Sequence, residues 1–315
     1  MTGPVILLTD NDLGDRLMEK ELLERALCAR VVLANCVSEH DVIAAVEATN
    51  PDAIITQWAP ITSRVLAAAP NCQIVSRIGI GIDMIDLEAA GERGVQVQNV
   101  PHYCTEEVAT HAVAMAMALW RRLPQLDAEL RTGTWNAAAS APEISRLSQA
   151  SIGIVGGGRI GMLVARAFEA WGARILVVDP ANGADPYPRV SLAQVAEECS
   201  VISMHAPLVE STHHVIDAAF LGSLRQRPVL INASRGGLID LDAVVDALAS
   251  GQLRGAGLDV FEIEPLAADH AIRNAPNALL TPHAAWCSQE ALPELRTEAV
   301  MNVIRLFANK KNTKE

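Results

Sequence analysis

The chain has 315 residues, half of them apolar, which is enough for about two domains with a core in each. Its 25 Lys and Arg against 37 Asp and Glu leave a formal net charge of −12, which argues against a nucleic-acid surface and equally against attachment to anionic lipid. The six cysteines are scattered without a CxxC pair and read as reduced thiols of a soluble, cytoplasmic protein.

The first hundred residues alternate short apolar runs with helical patterns. Strands are expected at 5–9, 30–34, 53–56, 74–78 and 95–97, and helices at 17–28, 40–48, 62–69 and 87–94. That alternation predicts a parallel α/β sheet. The apolar start at Val5 is too short for a signal-peptide core and lacks a basic flank. A long helix is expected from Thr105 to Arg122, with Leu123-Pro124 disturbing its end. Its apolar part contains His111 and falls short of a membrane span. Residues 132–149 read as a polar surface connection.

A second α/β series begins at Ser151, with strands expected at 151–155, 174–178, 201–204, 229–233, 255–260 and 278–281. Six strands in that rhythm fit a doubly wound dinucleotide domain. An amphipathic helical pattern at 292–306 follows and must pack on something already built.

Between the first two strands of this series lies Gly156-Gly157-Gly158-Arg159-Ile160-Gly161, and Asp179 ends the second strand. GxGxxG alone is a weak signal, but here a strand precedes it and a helix follows. Gly156 permits the tight turn, Gly158 lets a pyrophosphate approach the backbone, and Gly161 allows close helix–strand packing. The helix start offers N–H groups and partial positive charge to phosphates. Asp179 can accept hydrogen bonds from ribose hydroxyls and would repel a 2′-phosphate, so NAD (NADH) is expected rather than NADP. Arg235, Glu264 and His283 each follow a later strand. A cation, a carboxylate and an imidazole at strand ends suit an acid substrate and a moving proton. No metal site is expected, because His205, His213 and His214 lack a ligating helix spacing.

Six stretches together resemble the D-isomer-specific 2-hydroxyacid dehydrogenases along nearly the whole chain. They are residues 77–83 (Arg-Ile-Gly-Ile-Gly-Ile-Asp), 99–101 (Asn-Val-Pro), the glycine fingerprint, 232–237 (Asn-Ala-Ser-Arg-Gly-Gly), 257–265 (Gly-Leu-Asp-Val-Phe-Glu-Ile-Glu-Pro) and 281–286 (Thr-Pro-His-Ala-Ala-Trp). The resemblance implies a flavodoxin-like substrate domain from residues 1–100 plus 287–315, with an NAD-binding Rossmann domain, residues 101–286, inserted into it. It implies an active site between the domains and dimerisation through the nucleotide domain, hence a homodimer.

The resemblance also assigns roles. Arg235 would clamp the substrate carboxylate and polarise the 2-oxo group, its fork matching a planar carboxylate. His283 would donate a proton to the carbonyl oxygen in reduction and take it back in oxidation, and Glu264 would hold His283 and favour its protonated form. Arg159, Ile160, His205, Ala206, Pro207, Ala233, Ser234, Asp259 and Ala285 would line the cofactor site. Gly79, Ile80 and Gly81 would present N–H groups to the substrate carboxylate. Arg77 and Trp286 match positions that face the substrate in the C-terminal-binding-protein and phosphoglycerate-dehydrogenase branch. The expected activity is NAD-dependent oxidoreduction at C2 of a small 2-oxo or 2-hydroxy acid. The alternative is an NAD-sensing, corepressor-like interaction module with vestigial dehydrogenase activity.

Overall fold

The computed structural model describes residues 3–180 and 186–312, with side chains described through residue 309. The chain divides into two compact units, Met1–Cys104 with Ser288–Glu315, and Thr105–Cys287. The second is therefore inserted in the chain of the first.

The first unit alternates β1 (Val5–Leu8), α1 (Leu17–Leu27), β2 (Arg30–Leu33), α2 (Glu39–Thr49), β3 (Ala53–Thr56), α3 (Ser63–Ala68), β4 (Ile74–Arg77), α4 (Leu87–Glu92) and β5 (Gln96–Gln98). All pairings are parallel, in the order β2-β1-β3-β4-β5. That is the flavodoxin-like order of doubly wound folds. The central strands β3 and β4 are buried at every residue, as expected when helices cover both sheet faces. Helix starts are marked by short polar side chains: Ser38 and Asp41 form a capping box on α2, and Thr62 and Asp86 cap α3 and α4. Leu7, Val42, Val46, Ile54, Val65 and Val75 belong to one core cluster of this unit.

The C-terminal helix, Ala291–Asn312, belongs to this unit and is longer at both ends than its apolar period predicted. It is fastened by polar contacts as well as by Leu295, Ala299, Val300 and Val303. Arg296 makes a two-pronged ion pair with Glu19 of α1, Nε to Oε1 and Nη2 to Oε2 both at 2.6 Å. Glu19 has no exposed surface. Ser76 Oγ donates to Ala299 O at 2.7 Å and Asn302 Nδ2 to Asn99 O at 3.2 Å.

The second unit opens with α5 (Thr105–Trp120), which lies against the later sheet. The structure corrects the expected helix end. Arg122 turns into the left-handed region at φ 55°, and a separate helix, α6 (Leu123–Arg131), starts there with Pro124 in its first turn. Proline lacks only an N–H that a first turn cannot use, so it begins this helix rather than merely ending the last. Residues 137–143 and 147–149 form 3₁₀ turns.

There follow β6 (Ser151–Val155), α7 (Arg159–Glu169), β7 (Arg174–Val178), α8 (Leu192–Glu198), β8 (Val201–Met204), α9 (Ala218–Ser223), β9 (Val229–Asn232), α10 (Leu241–Ala249), β10 (Gly255–Leu258) and β11 (Ala278–Leu280). The parallel sheet runs β11-β10-β9-β8-β6-β7. A parallel bridge, Val177 to Arg189, adds a short extra pairing on the edge of β7 away from β6 that the sequence pattern missed. Strand β10 ends two residues short of expectation, although the Asp259 N–H still donates to Asn232 O of β9 at 2.9 Å, and the Asp259 side chain binds a neighbouring loop. The direction of winding reverses between β6 and β8, the crevice where such sheets bind nucleotides at the carboxyl ends of the strands.

Candidate active site

The glycine turn after β6 has little freedom in its sequence. Gly156 stands at φ 103°, and a Cβ there would lie 2.5 Å from Ala206 N. A Cβ on Gly161 would lie 2.1 Å from Gly156 O. These positions accept only glycine, and they draw the turn against the end of β8 on one side and α7 on the other. Gly158 is the N-cap of α7 and offers no side-chain cap, whereas Ser191, Asp217 and Asp240 cap α8, α9 and α10. The first-turn N–H groups of α7 are thus not claimed by a capping side chain, which suits a pyrophosphate. Asp179 ends β7 as expected, and its Oδ2 accepts the Gly157 N–H at 2.5 Å. These residues fit a dinucleotide, with the carboxylate at the mouth of the turn.

Arg189 Nη1 lies 3.8 Å from Asp179 Oδ2. The sequence reading missed this cation; its only signal was its place on the next extended segment.

Beside the turn, His205 and Ala206 follow β8. Ser203 Oγ and His205 Nε2 are 2.8 Å apart. Desolvation pushes the His205 imidazole down to about 4, so it is neutral near pH 7 although part of the residue reaches solvent. Ser234 Oγ donates to Ala206 O at 2.8 Å, joining the ends of β8 and β9, and Ala233, between β9 and Ser234, is buried. Pro207 is exposed.

The Asn232–Gly237 segment positions the arginine. Asn232 is fully buried; its Oδ1 accepts the Ser234 N–H at 3.1 Å and its Nδ2 donates to Arg235 O at 2.8 Å. Arg235 is extended and half-buried, and Nη1 donates to Ser234 O at 2.7 Å. A Cβ on Gly236 would sit 1.9 Å from Phe261 C, so the turn after Arg235 closes directly on the segment that carries Glu264.

His283 and Glu264 form a pair. His283 Nδ1 is 2.7 Å from Glu264 Oε2, and Glu264 Oε1 accepts the Phe261 N–H at 2.8 Å. Burial pushes the Glu264 carboxyl up. The hydrogen bond and charge of His283, the Phe261 N–H and the charge of Arg235 outweigh it and hold the carboxyl below the ordinary glutamate range. His283 has φ 53°, a backbone state that a non-glycine residue keeps only when its surroundings impose it.

Asp259 supplies that constraint. Its side chain has no exposed surface, and it accepts Thr281 Oγ1 at 2.6 Å, the Ala284 N–H at 2.8 Å and the Ala285 N–H at 2.9 Å. Its carbonyl oxygen also accepts the His283 N–H at 2.7 Å. Three donors from residues 281–285 thus converge on one carboxylate. His111 of α5 reaches this group through Thr281 Oγ1 at 3.0 Å and Asp259 at 3.7 Å. Trp286, half-buried, lies in the turn that follows.

A family model described as "D-isomer specific 2-hydroxyacid dehydrogenase, NAD binding domain" matches residues 113–285. The chain belongs to the D-isomer specific 2-hydroxyacid dehydrogenases. This dehydrogenase is 37% identical over 252 residues to the glyoxylate reductase of Korarchaeum cryptofilum (strain OPF8), covering 78% of this chain and 76% of that protein. It is 31% identical over 302 residues to the hydroxypyruvate reductase of Thermotoga maritima, covering 94% and 95%. It matches the crystal structure of the D-lactate dehydrogenase of Aquifex aeolicus in complex with NAD and lactic acid with a TM-score of 0.83 and 25% identity, covering 97% and 96% of the two chains. It is an NAD-dependent oxidoreductase acting on 2-hydroxy acids.

In the first unit of the dehydrogenase, Arg77 ends β4 and its guanidinium lies over the Trp58 ring, 5.4 Å from the centroid. Gly79 stands at φ 141°, and a Cβ there would collide with Arg77 Nη1 at 1.2 Å. Asp10 fixes the neighbouring turn. Its carboxylate accepts the N–H groups of Gln57, Trp58 and Ala59 at 3.0, 2.5 and 3.1 Å. Gly79 O accepts the Val100 N–H at 3.0 Å, and Ile80 O accepts from Asn99 Nδ2.

The loop around His283 yields a prediction. Asp259→Asn keeps the shape but gives up one acceptor among buried N–H donors. It should destabilise the enzyme by about 1–3 kcal/mol in chemical denaturation, the cost of leaving such a group unsatisfied. It should also lower kcat more than it raises KM for NADH. An unchanged midpoint and unchanged kcat would show that the carboxylate does not hold this loop.

Proposed function

We propose that the enzyme reduces a small 2-oxo acid with NADH, with His283 as the acid/base and Arg235 as the carboxylate clamp. One observation carries the reading: the 2.7 Å His283–Glu264 pair, held at the carboxyl ends of parallel strands within the electrostatic reach of Arg235. When bound, the dinucleotide supplies the hydride that reaches C2 of the substrate. Arg235 takes the substrate carboxylate in two parallel charge-assisted bonds and draws electron density from the 2-oxo group. With Nδ1 held by Glu264, Nε2 of His283 is the nitrogen we assign to the substrate oxygen, which gains a proton there as C2 gains hydride. Glu264, kept ionised, stabilises the imidazolium before that transfer and fixes the ring's orientation. The reverse steps oxidise a 2-hydroxy acid.

The assignments of Gly156, Gly158, Arg159, Ile160 and Gly161 to the phosphates, and of His205, Ala206, Pro207, Ala233, Ser234, Asp259 and Ala285 to the rest of the cofactor, belong to the same reading. So does the assignment of Gly79, Ile80, Gly81 and Trp286 to the substrate. Asp179 supports NAD over NADP by its charge, and Arg189 tempers that preference. The exposed Leu123 and Leu130 of α6, with Trp135 beyond it, support a homodimer through the second unit. No helix among the described residues is long and apolar enough to cross a membrane. None of the six cysteines is in a disulfide, which fits a cytoplasmic enzyme.

Three predictions test the reading. NADH oxidation should be seen with at least one of glyoxylate, hydroxypyruvate, pyruvate, phenylpyruvate, oxaloacetate or phosphonopyruvate, and His283→Gln should lower kcat on it by about 10²–10⁴-fold. NADH affinity in fluorescence titration should be preserved; a variant that keeps wild-type kcat would remove His283 from the reaction. Asp179→Ala should weaken NADH and improve NADPH, because it removes a charge that repels a 2′-phosphate and leaves Arg189 in place nearby. Equal losses for both cofactors would contradict that account. Arg77→Ala should raise KM mostly for substrates with a polar or anionic group beyond the 2-oxo acid; an equal rise for pyruvate would rule out a role in selectivity.

A further inference from the structure

A cluster apart from the reaction residues lies on the second unit: His213, His214 and Glu262. From sequence no metal is expected here, because these histidines lack a ligating helix spacing. The backbone removes that objection. His214 stands at φ 47°, the left-handed region, and its N–H is tied to Gly237 O at 2.8 Å. His213 N–H is tied to Val209 O at 3.0 Å. The two rings therefore lie face to face, 4.0 Å between centroids and 25° between planes.

Both imidazoles aim at one carboxylate. His213 Nε2 lies 3.3 Å from Glu262 Oε1, and His214 Nε2 lies 3.1 Å from Glu262 Oε2. One ligand atom from each residue falls within 4.8 Å of the others. A tetrahedral ion with bonds of about 2.0–2.2 Å spaces its ligands about 3.3–3.6 Å apart, close to these separations. Two imidazoles and a carboxylate are a donor set for zinc-class ions rather than for magnesium or calcium, which take oxygens. The residues are half to largely exposed, so solvent can complete the coordination.

We propose that His213, His214 and Glu262 form a surface site for a divalent transition metal of the zinc class. Its place gives it a consequence. Glu262 lies two residues before Glu264, and a Cβ on Gly237 would lie 3.6 Å from Cδ2 of the His213 ring. An ion there would join the segment carrying Glu264 to the His213–His214 segment, whose His214 N–H binds Gly237 O in the turn that follows Arg235. This proposal stands independently of the reaction assigned above.

The test uses the full-length, untagged, metal-stripped protein titrated with Zn²⁺ by calorimetry, and with Co²⁺ by visible absorbance. One saturable equivalent is expected, with tetrahedral Co²⁺ bands and a rise in Tm. His213→Ala and Glu262→Gln, both at exposed positions, should each lose about tenfold or more in affinity. Both should keep the metal-free Tm and wild-type NADH binding. Glu262→Asp should recover part of the loss if either variant folds poorly. A Cys28→Ser, Cys287→Ser double variant should bind as wild type. The proposal is overturned by no saturable binding, by affinity that survives in either ligand variant, or by loss in the cysteine variant.

Discussion

The Asp259 carboxylate is the interaction on which the site depends most. A buried anion is costly unless hydrogen bonds satisfy it, and the donors that satisfy Asp259 come from residues 281–285. The loop that carries His283 therefore cannot move away without stranding a charge. The left-handed backbone at His283 persists under the same constraint. The imidazole reaches Glu264 because both segments are anchored from behind. Gly236 completes the frame, since its missing side chain lets the arginine-bearing turn touch the backbone at Phe261 and Glu262.

Environment separates the tasks of chemically similar groups. His205 and His283 are both imidazoles at strand ends. His205 faces desolvation and Ser203 and is held neutral, whereas His283 faces a carboxylate. Glu264 and Asp259 are both carboxylates on one segment. Glu264 bonds directly to an imidazole, while the direct donors to Asp259 are backbone N–H groups and a threonine hydroxyl, with the His111 imidazole farther off at 3.7 Å. Residue type alone does not distinguish a member of the reacting set from a member of the scaffold that supports it.

The parts legible in the sequence were those whose physics is local. The glycine turn is specified by backbone geometry within six residues, so its spacing announced it. Alternating apolar runs announced the strands, because parallel strands buried on both faces must be apolar throughout. Arg235, Glu264 and His283 sit in strings distinctive enough to resemble a family. What escaped was set by contacts distant in sequence. His111 meets Asp259 across some 150 positions, Arg189 becomes meaningful only when its segment pairs beside β7, and Glu262 meets His213 through folding alone. The helix starting at Leu123 escaped because proline was read as an ending, where Arg122 in a left-handed conformation makes it a beginning.

The Glu19–Arg296 pair bears on the order in which the chain can be made. Glu19 emerges early from a ribosome, and its partner is 277 positions later. Until that arginine appears, burying Glu19 would leave an uncompensated charge, so the first unit gains little by closing. The inserted unit is continuous and holds all its strands before residue 288. During synthesis the nucleotide-binding unit is thus free to fold first, while the chain that began earlier waits for its last helix.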